Sequence, residues 1–181
     1  MLKALVLSPF VVALFALSAI SEAQPPADPQ DRDTLVKFQG GIGVLPVANG
    51  VGQAATAEVV NRNIVRGVQP AGQIWVISSL TADVKVDGRI HVDGRGLLLG
   101  GGDQIGFNGN ASVFATLICE TAAPFTQFST NITGVPLAAN GDFRIDDVLV
   151  PAPPAVCDSP VLLIRVSPSG AWFAAGIQKI D

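Results

Sequence analysis

The sequence has one histidine and two cysteines among its 181 residues, so side chains that bind transition metals are scarce. A zinc or copper centre usually needs about three or four such ligands. We therefore expect no metal site and no cofactor. Charge is scarce as well, because only 14% of the residues are Asp, Glu, Lys or Arg. A disordered chain is usually rich in charge, and this composition argues against one.

Basic residues are few and never clustered, and the chain carries a net charge of -4. Nucleic acids and anionic membranes are bound by groups of lysine and arginine side chains. We therefore predict that neither is a partner. A protein or a small ligand is the kind of partner that this composition allows, and its identity stays open.

The one long hydrophobic run lies at the N-terminus. Lys3 precedes an apolar stretch over residues 4–20, and Ser21 and Ala23 supply the small residues that a signal peptidase site requires. An uncleaved membrane anchor is the alternative, but the run is short for a bilayer core, which needs roughly 20 apolar residues. We predict a signal peptide over residues 1–23, export to a secreted or periplasmic location, and no stable membrane insertion after cleavage.

Residues 24–33 are polar and rich in proline, and we predict a flexible leader there. The remaining residues, 34–181, have the length of one domain. Short apolar stretches recur in this part, separated by turn-forming residues about every 8–12 positions, and no amphipathic helix pattern is present. This pattern predicts an all-β fold. We expect an antiparallel β-sandwich, prealbumin-like or Ig-like with a Greek key, with a small β-barrel as the alternative.

Particular turns and strands can be placed along this domain. An Asp-Gly pair indicates a hairpin across residues 82–92, and an Asn-Gly pair indicates another across 134–145. Residues 167–170, with a proline at the second position, predict a turn between the last two strands. The apolar residues within 73–79 predict a strand covered on both faces, and residues 54–60 allow at most one helical turn.

The two cysteines, Cys119 and Cys157, are separated by 38 residues. Export would place them in an oxidising compartment, where such a pair forms a disulfide. Closing a loop of this size stabilises a fold by about 4 kcal/mol in the chain-entropy model. A reactive thiol or metal pair is disfavoured because no Cys-x-x-Cys spacing is present. We predict a structural disulfide.

The most unusual composition is the glycine-rich stretch over residues 100–110. Asp103, Asn108 and Asn110 offer the oxygen donors of a calcium loop, but calcium-binding β-roll repeats need several stacked copies and this chain has one. A phosphate loop is excluded because no Gly-Lys-Ser/Thr sequence closes the stretch. A mobile loop between sheets is the favoured interpretation. Because ligands often contact loops, Asp103, Asn108 and Asn110 are the candidate ligand-contacting residues.

Acidic side chains crowd the second predicted hairpin at Asp142, Asp146 and Asp147. A glycosidase needs two carboxyl groups that face each other across the sugar, but Asp146 and Asp147 are neighbours on one strand and point to opposite faces. His91 is the only histidine, and no Gly-x-Ser-x-Gly nucleophile elbow accompanies it. We assign no catalytic residue, and enzymatic function is disfavoured.

Part of the C-terminal half resembles a known family. Residues 115–119, followed by 134–137 and an Asn-Gly-Asp-Phe turn within 140–145, resemble the prealbumin-like (transthyretin-like) β-sandwich domains of secreted proteins. The runs over 142–149 and 171–177 are similar to those of uncharacterised exported bacterial proteins. The resemblance implies a β-sandwich and favours a scaffold or binding role, and it transfers no catalytic residue.

These observations lead to two functional hypotheses. The first is an exported, non-enzymatic β-sandwich protein with a structural role or a ligand- or partner-binding role. The second is a secreted hydrolase, of glycosidase or esterase type, that uses Asp residues and His91.

Overall fold

The computed structural model describes residues 33–49 and 60–180, and all regular secondary structure within these two ranges is β-strand. The thirteen strands are β1 Thr34–Gly43, β2 Val47–Asn49, β3 Val60–Arg62, β4 Trp75–Val76, β5 Ser79–Lys85, β6 Arg89–Arg95, β7 Leu98–Leu99, β8 Ser112–Ile118, β9 Phe128–Ser129, β10 Val135–Pro136, β11 Phe143–Val148, β12 Val161–Ser167 and β13 Trp172–Gln178.

Nine of these strands form one antiparallel sheet in the order β10-β8-β12-β13-β1-β5-β6-β11, with β9 added beside β8. The end strands β10 and β11 follow one another in the sequence and lie side by side, so the sheet curls until it is nearly closed. Two further ladders, β2–β3 and β4–β7, stand apart from it. The predicted all-β antiparallel class is confirmed, and the curled sheet is consistent with both the sandwich and the small barrel.

The sheet encloses its core because apolar and polar residues alternate along most strands. In β6, Ile90 and Val92 are buried whereas His91 between them lies on the outer face. Strand β8 is different, because every residue within Val113–Ile118 is buried. Its outer face is covered in part by the side chain of Arg165, which lies over an aromatic ring of β8.

A disulfide between Cys119 and Cys157 fastens one end of the β8–β12 ladder, with the two Cα atoms 4.7 Å apart. Cys119 directly follows Ile118, the last residue of β8. The guanidinium of Arg66 holds the same end, because it donates hydrogen bonds to the carbonyl oxygens of Ile118 at 3.0 Å and Ser159 at 2.5 Å. The predicted disulfide is confirmed.

Two of the predicted turns join paired strands, as expected. Strands β5 and β6 form a hairpin through residues 86–88, in which the N–H of Gly88 donates to the carbonyl oxygen of Lys85 at 3.0 Å. Residues 168–171 connect the paired strands β12 and β13. Val86 is exposed because it lies in the turn.

The Asn-Gly turn is formed, but the hairpin predicted around it is wrong. The N–H of Gly141 donates to the carbonyl oxygen of Ala138 at 2.8 Å, and Gly141 has a φ of +80°, which glycine adopts without strain. The flanking strands lie side by side but do not pair with each other, because β10 pairs with β8 and β11 pairs with β6. The turn therefore lies at the seam, which we define as the junction of β10 and β11 where the sheet nearly closes.

The strand predicted over residues 73–79 is shorter and less buried than expected. Only Trp75 and Val76 belong to β4, and both Ile74 and Val76 are exposed. Trp75 is buried, and its ring stacks on Phe173 with 3.9 Å between the ring centroids. This apolar run therefore buries Trp75, packs Ile77 partly against the core and leaves Ile74 and Val76 at the surface.

Several sequence predictions concern residues outside the described ranges. The signal peptide over 1–23, residues 24–32 of the leader and residues 54–59 of the helical turn lie there. Across the residues that are described, no helix combines the length and the hydropathy needed to cross a bilayer.

The double replacement Cys119→Ser/Cys157→Ser should lower the free energy of unfolding by about 4 kcal/mol, because it removes the constraint on the unfolded chain. Urea denaturation followed by fluorescence measures this loss. A reducing agent should shift the wild-type protein toward the double variant and leave the variant itself unchanged. Two reactive thiols in the denatured, unreduced wild-type protein would contradict the disulfide.

Candidate functional site: two grooves on the outer sheet surface

Two open grooves lie on the outer surface of the curled sheet. The histidine groove, over β5, β6 and β11, has a volume of about 420 Å³ and is centred on Asp83, Lys85, His91 and Asp146. The arginine groove, over β8 and β12, has a volume of about 580 Å³. Its polar lining consists of Gln127, Ser129, Thr133, Arg165, Ser167 and Ser169.

In the histidine groove, strand register places His91 between two carboxylates. His91 lies opposite Asp83 of β5 on one side and opposite Asp146 of β11 on the other. Its Nδ1 atom forms a hydrogen bond with the carboxylate of Asp146, and this contact is an ion pair when the imidazole is protonated. The hydrogen bonds from His91 and from Arg144 lower the pKa of Asp146. Because both partners of the ion pair are exposed, solvent screens their attraction.

Each cation that lines the histidine groove has a carboxylate beside it. Lys85 Nζ lies 2.8 Å from a carboxylate oxygen of Asp83, and Arg89 Nε lies 2.7 Å from one of Asp87. His91 has its ion pair with Asp146. The lysine and the arginine therefore already have acidic partners, and an anionic ligand would have to compete with these.

The three acids that we considered for glycosidase chemistry have separate partners. Asp142 accepts a hydrogen bond from the N–H of Gly96 at 3.0 Å, which lowers the pKa of Asp142. Asp146 faces the histidine groove, whereas Asp147 accepts a hydrogen bond from the N–H of Asn131 at 2.8 Å. This arrangement follows from the alternation of side chains along β11.

The hydrolase hypothesis also needs a nucleophile beside His91. A nucleophilic hydroxyl or thiol should lie within hydrogen-bond reach of its base, about 2.6–3.2 Å. Within the described residues, Asp146 is the hydrogen-bond partner of His91, and no serine, threonine or cysteine shares that role. The pair therefore supplies a base and its orienting acid, without the group that would attack a substrate.

The glycine-rich loop is anchored to the seam by Asn108, one of the candidate ligand residues. Its Nδ2 atom donates to the carbonyl oxygens of Leu137 at 3.1 Å and Ala138 at 3.0 Å, and its Oδ1 atom accepts the N–H of Asn110. Asn110 has a φ of +50°, a turn conformation that asparagine tolerates better than most residues. Both asparagines thus shape the loop, and their contact with a ligand stays a prediction.

Asp103, the third candidate of that loop, lies elsewhere. It is exposed and lines a recess of about 280 Å³ together with Gln73 and Gln104. The side chain of Asn108 is turned to the seam. The structure therefore assigns Asp103 and Asn108 to different surroundings.

In the arginine groove, Arg165 is held firmly on one side. It lies opposite Phe114 in the β8–β12 ladder, with its guanidinium carbon 5.2 Å from the centroid of that ring. Arg165 Nε donates to the carbonyl oxygen of Gly170 at 2.6 Å. Arg165 Nη1 donates to Gln127 Oε1 at 2.7 Å and to Thr116 Oγ1 at 3.3 Å. These bonds fix the plane of the guanidinium.

The remaining nitrogen of Arg165 is uncommitted. A guanidinium has five N–H donors, and among the described residues no acceptor is bound to the two on Nη2 and no carboxylate pairs with the group. Partial burial lowers the pKa of Arg165, because burial disfavours the charged form. A partly buried cation without a counter-ion is costly, and a bound anion would offset that cost.

Sequence reasoning missed Arg165 because its surroundings come from distant segments. Thr116 and Gln127 lie 49 and 38 residues away in the sequence. The one local signal is an arginine within the apolar strand Val161–Ser167 that has no acidic residue two positions to either side. That signal becomes informative only when the fold is known.

No group of three His, Cys, Asp or Glu side chains that could hold a metal ion occurs in the described part of the chain. Comparisons with protein-family models, with curated proteins and with solved structures found no match for this chain. The functional assignment therefore depends on the chemistry of the two grooves.

The variant Asp146→Asn tests the ion pair with His91 through its pH dependence. Because the pKa of Asp146 is lowered in the folded state, this carboxylate stabilises the fold fully above the ordinary Asp value of about 3.9. The contribution is lost as the pH falls through the lowered value. Wild type should therefore be slightly more stable than Asp146→Asn at about pH 5–6, where this stabilisation is fully present. The free energies of unfolding of the two proteins should become equal in stronger acid.

Urea denaturation across the pH series measures this difference, and a carbon NMR titration of the Asp146 carboxylate measures the pKa directly. Asp103→Asn is the control, because it removes the same charge from the exposed loop. An equal pH dependence of the two variants would contradict the ion pair.

The variant Asn108→Ala should release the glycine-rich loop from the seam. It removes the donor to the carbonyl oxygens of Leu137 and Ala138, which water can partly replace because these bonds are part-buried and exposed, so it should cost about 0.5–1.5 kcal/mol of stability. Hydrogen exchange should become faster around residues 106–111 and 137–141. Asp103→Ala, in the same loop, should change neither quantity, and equal effects of the two variants would refute the anchoring role.

Proposed function

We propose that this protein is an exported, non-enzymatic binding protein that holds a small anionic ligand in the arginine groove. One observation carries the proposal: Arg165 presents two uncommitted N–H donors on a fixed, partly buried guanidinium. Hydrogen bonds from a charged donor to an anion are among the strongest that proteins make. The groove volume of about 580 Å³ also lies within the range of ligand sites, about 300–1,000 Å³.

The contrast between the two grooves supports this choice. In the histidine groove the cations are already paired with carboxylates, so a ligand would have to compete with Asp83, Asp87 and Asp146. No acidic residue lines the arginine groove. An anion entering there gains a new partner and displaces none.

The groove offers one cation, and this limits the kind of anion that it suits. Polyanions such as nucleic acids need several basic side chains along their length, whereas Arg165 is the one basic residue lining this groove. The net charge of -4 disfavours polyanions further. A small ligand with one negative group fits both facts.

Export is part of the proposal. The sequence predicts a signal peptide over residues 1–23, and the disulfide between Cys119 and Cys157 is typical of an oxidising, extracytoplasmic compartment. A secreted or periplasmic location follows from the two together. The resemblance to prealbumin-like domains is also part of the proposal, and it is consistent with a binding role.

A secreted hydrolase is the second candidate, and one observation favours it, the ion pair of His91 with Asp146. We expect the purified mature protein to show no turnover of chromogenic ester, glycoside and peptide substrates, because His91 has no nucleophile as a hydrogen-bond partner. Turnover that is abolished both by His91→Ala and by Asp146→Asn would replace the binding proposal with the hydrolase.

The binding proposal is tested by titrating the isotopically labelled mature protein with acetate, phosphate and sulfate and following its backbone amides by NMR. At least one of these anions should shift the amides of Thr133, Ser167, Ser169 and Gly170, and Arg165→Gln should weaken that binding by about 10-fold to 100-fold. Arg89→Gln is the matched control, because it removes the same charge from the histidine groove. Its affinity should equal that of wild type.

A different pattern would overturn the proposal. If no anion shifts these amides, or if Arg165→Gln and Arg89→Gln weaken binding equally, the arginine groove is not a specific anion site. Raising the salt concentration should weaken binding in wild type, since added ions screen the attraction.

A further inference from the structure

The arginine groove contains hydroxyl groups beyond what binding a simple anion requires. Ser129, Thr133, Ser167 and Ser169 all line it. A hydroxyl can both donate and accept a hydrogen bond. Ser129 Oγ is already bonded to Thr116 at 2.9 Å, while the side chains of Thr133 and Ser167 have no partner among the described residues. The rim can therefore exchange hydrogen bonds with a ligand that carries hydroxyl groups of its own.

An apolar surface lies beside these hydroxyls. Ile132 is 68% exposed at the rim, and Pro168 is exposed on the opposite turn. Ile132 is separated from the buried core, so its side chain contributes little to folding. An apolar ligand face that packed on it would remove this surface from water.

The geometry of the guanidinium limits how an anion is held. Because Nε and Nη1 of Arg165 are bound to Gly170, Thr116 and Gln127, the two-nitrogen fork that grips both oxygens of a carboxylate is not available. Only Nη2 is left. Nη2 alone donates to the anionic group, so the hydroxyl groups and the apolar rim must position the rest of the ligand.

We propose that the ligand is a sugar acid, an inference that rests on the binding function proposed above. Its carboxylate would accept hydrogen bonds from Nη2 of Arg165, its ring hydroxyls would bond to Thr133 and Ser167, and an apolar C–H face of the ring would pack on Ile132. Such a carboxylated sugar occurs free and as a residue of acidic polysaccharides. Both sources share this chemistry, and the single cation of the groove favours the free sugar acid.

The experiment is an NMR titration of the labelled mature protein with glucuronate, its uncharged methyl ester, glucose and acetate. Glucuronate should bind at least about tenfold more tightly than each of the other three, because only it combines the charge with the ring. A trigalacturonate arm distinguishes the source. Tighter binding of trigalacturonate than of glucuronate points to a polysaccharide, and equal or weaker binding points to the free sugar acid.

Three variants and one control test the contacts. Arg165→Gln should weaken glucuronate binding by about 10-fold to 100-fold. Ile132→Ser should weaken glucuronate binding several-fold and leave acetate binding unchanged, because it removes the ring contact alone. Ser169→Glu, at an exposed turn position, places a carboxylate in the groove and should abolish binding by occupying the guanidinium. It keeps the test valid should Arg165→Gln fail to fold. Arg89→Gln should bind glucuronate like wild type.

The outcomes separate this inference from the proposed function. If acetate or phosphate binds through Arg165 and glucuronate binds no more tightly than acetate, the sugar-acid inference is wrong and the anion-binding function stands. The same holds if Ile132→Ser weakens acetate and glucuronate equally. If neither Arg165→Gln nor Ser169→Glu weakens the binding of any anion, both the sugar-acid inference and the anion-binding function are wrong.

Discussion

The antiparallel ladder between β8 and β12 is the constraint on which the rest of the structure depends. At one end the disulfide of Cys119 and Cys157 joins the segments next to the two strands. At the other end Arg165 lies across Phe114 and forms the floor of the arginine groove. The strands between these ends are almost entirely buried. A shift of register by one residue would turn Arg165 into the core, so the burial of this ladder also fixes the position of the groove.

Charge is distributed over the outer surface by a simple local rule, and Arg165 departs from it. Residues two apart on a strand share a face, and opposite charges occupy such positions in Asp83 with Lys85 and in Arg144 with Asp146. Each pair neutralises itself within its own strand. The corresponding neighbours of Arg165 are a leucine and a serine. Arg165 therefore has no oppositely charged neighbour in its own strand. The groups that accept hydrogen bonds from its guanidinium elsewhere in the fold are neutral.

The features that could be predicted from the sequence have local or compositional signals. These are the all-β class, the disulfide and the Asp-Gly hairpin between β5 and β6. The Asn-Gly turn also formed, but which strands pair beside it depends on the closure of the whole sheet. The ion pair of His91 with Asp146 joins residues 55 positions apart and needs the β6–β11 register. The role that we propose for Arg165 depends on the lack of a carboxylate beside it in three dimensions, and a sequence does not reveal which side chains surround it in the fold.

The seam has a mechanical consequence. Strands β10 and β11 do not pair with each other. The side-chain amide of Asn108 stabilises the seam instead, because it donates hydrogen bonds to the segment that connects the two strands. Ile132 and Thr133, on the rim of the arginine groove, lie just before β10. Strand β10 pairs with β8, and β8 pairs with β12, so this rim and Arg165 lie on the same side of the seam. Parting β10 from β11 would therefore leave the groove intact, and closure of the sheet would not depend on occupancy of the groove.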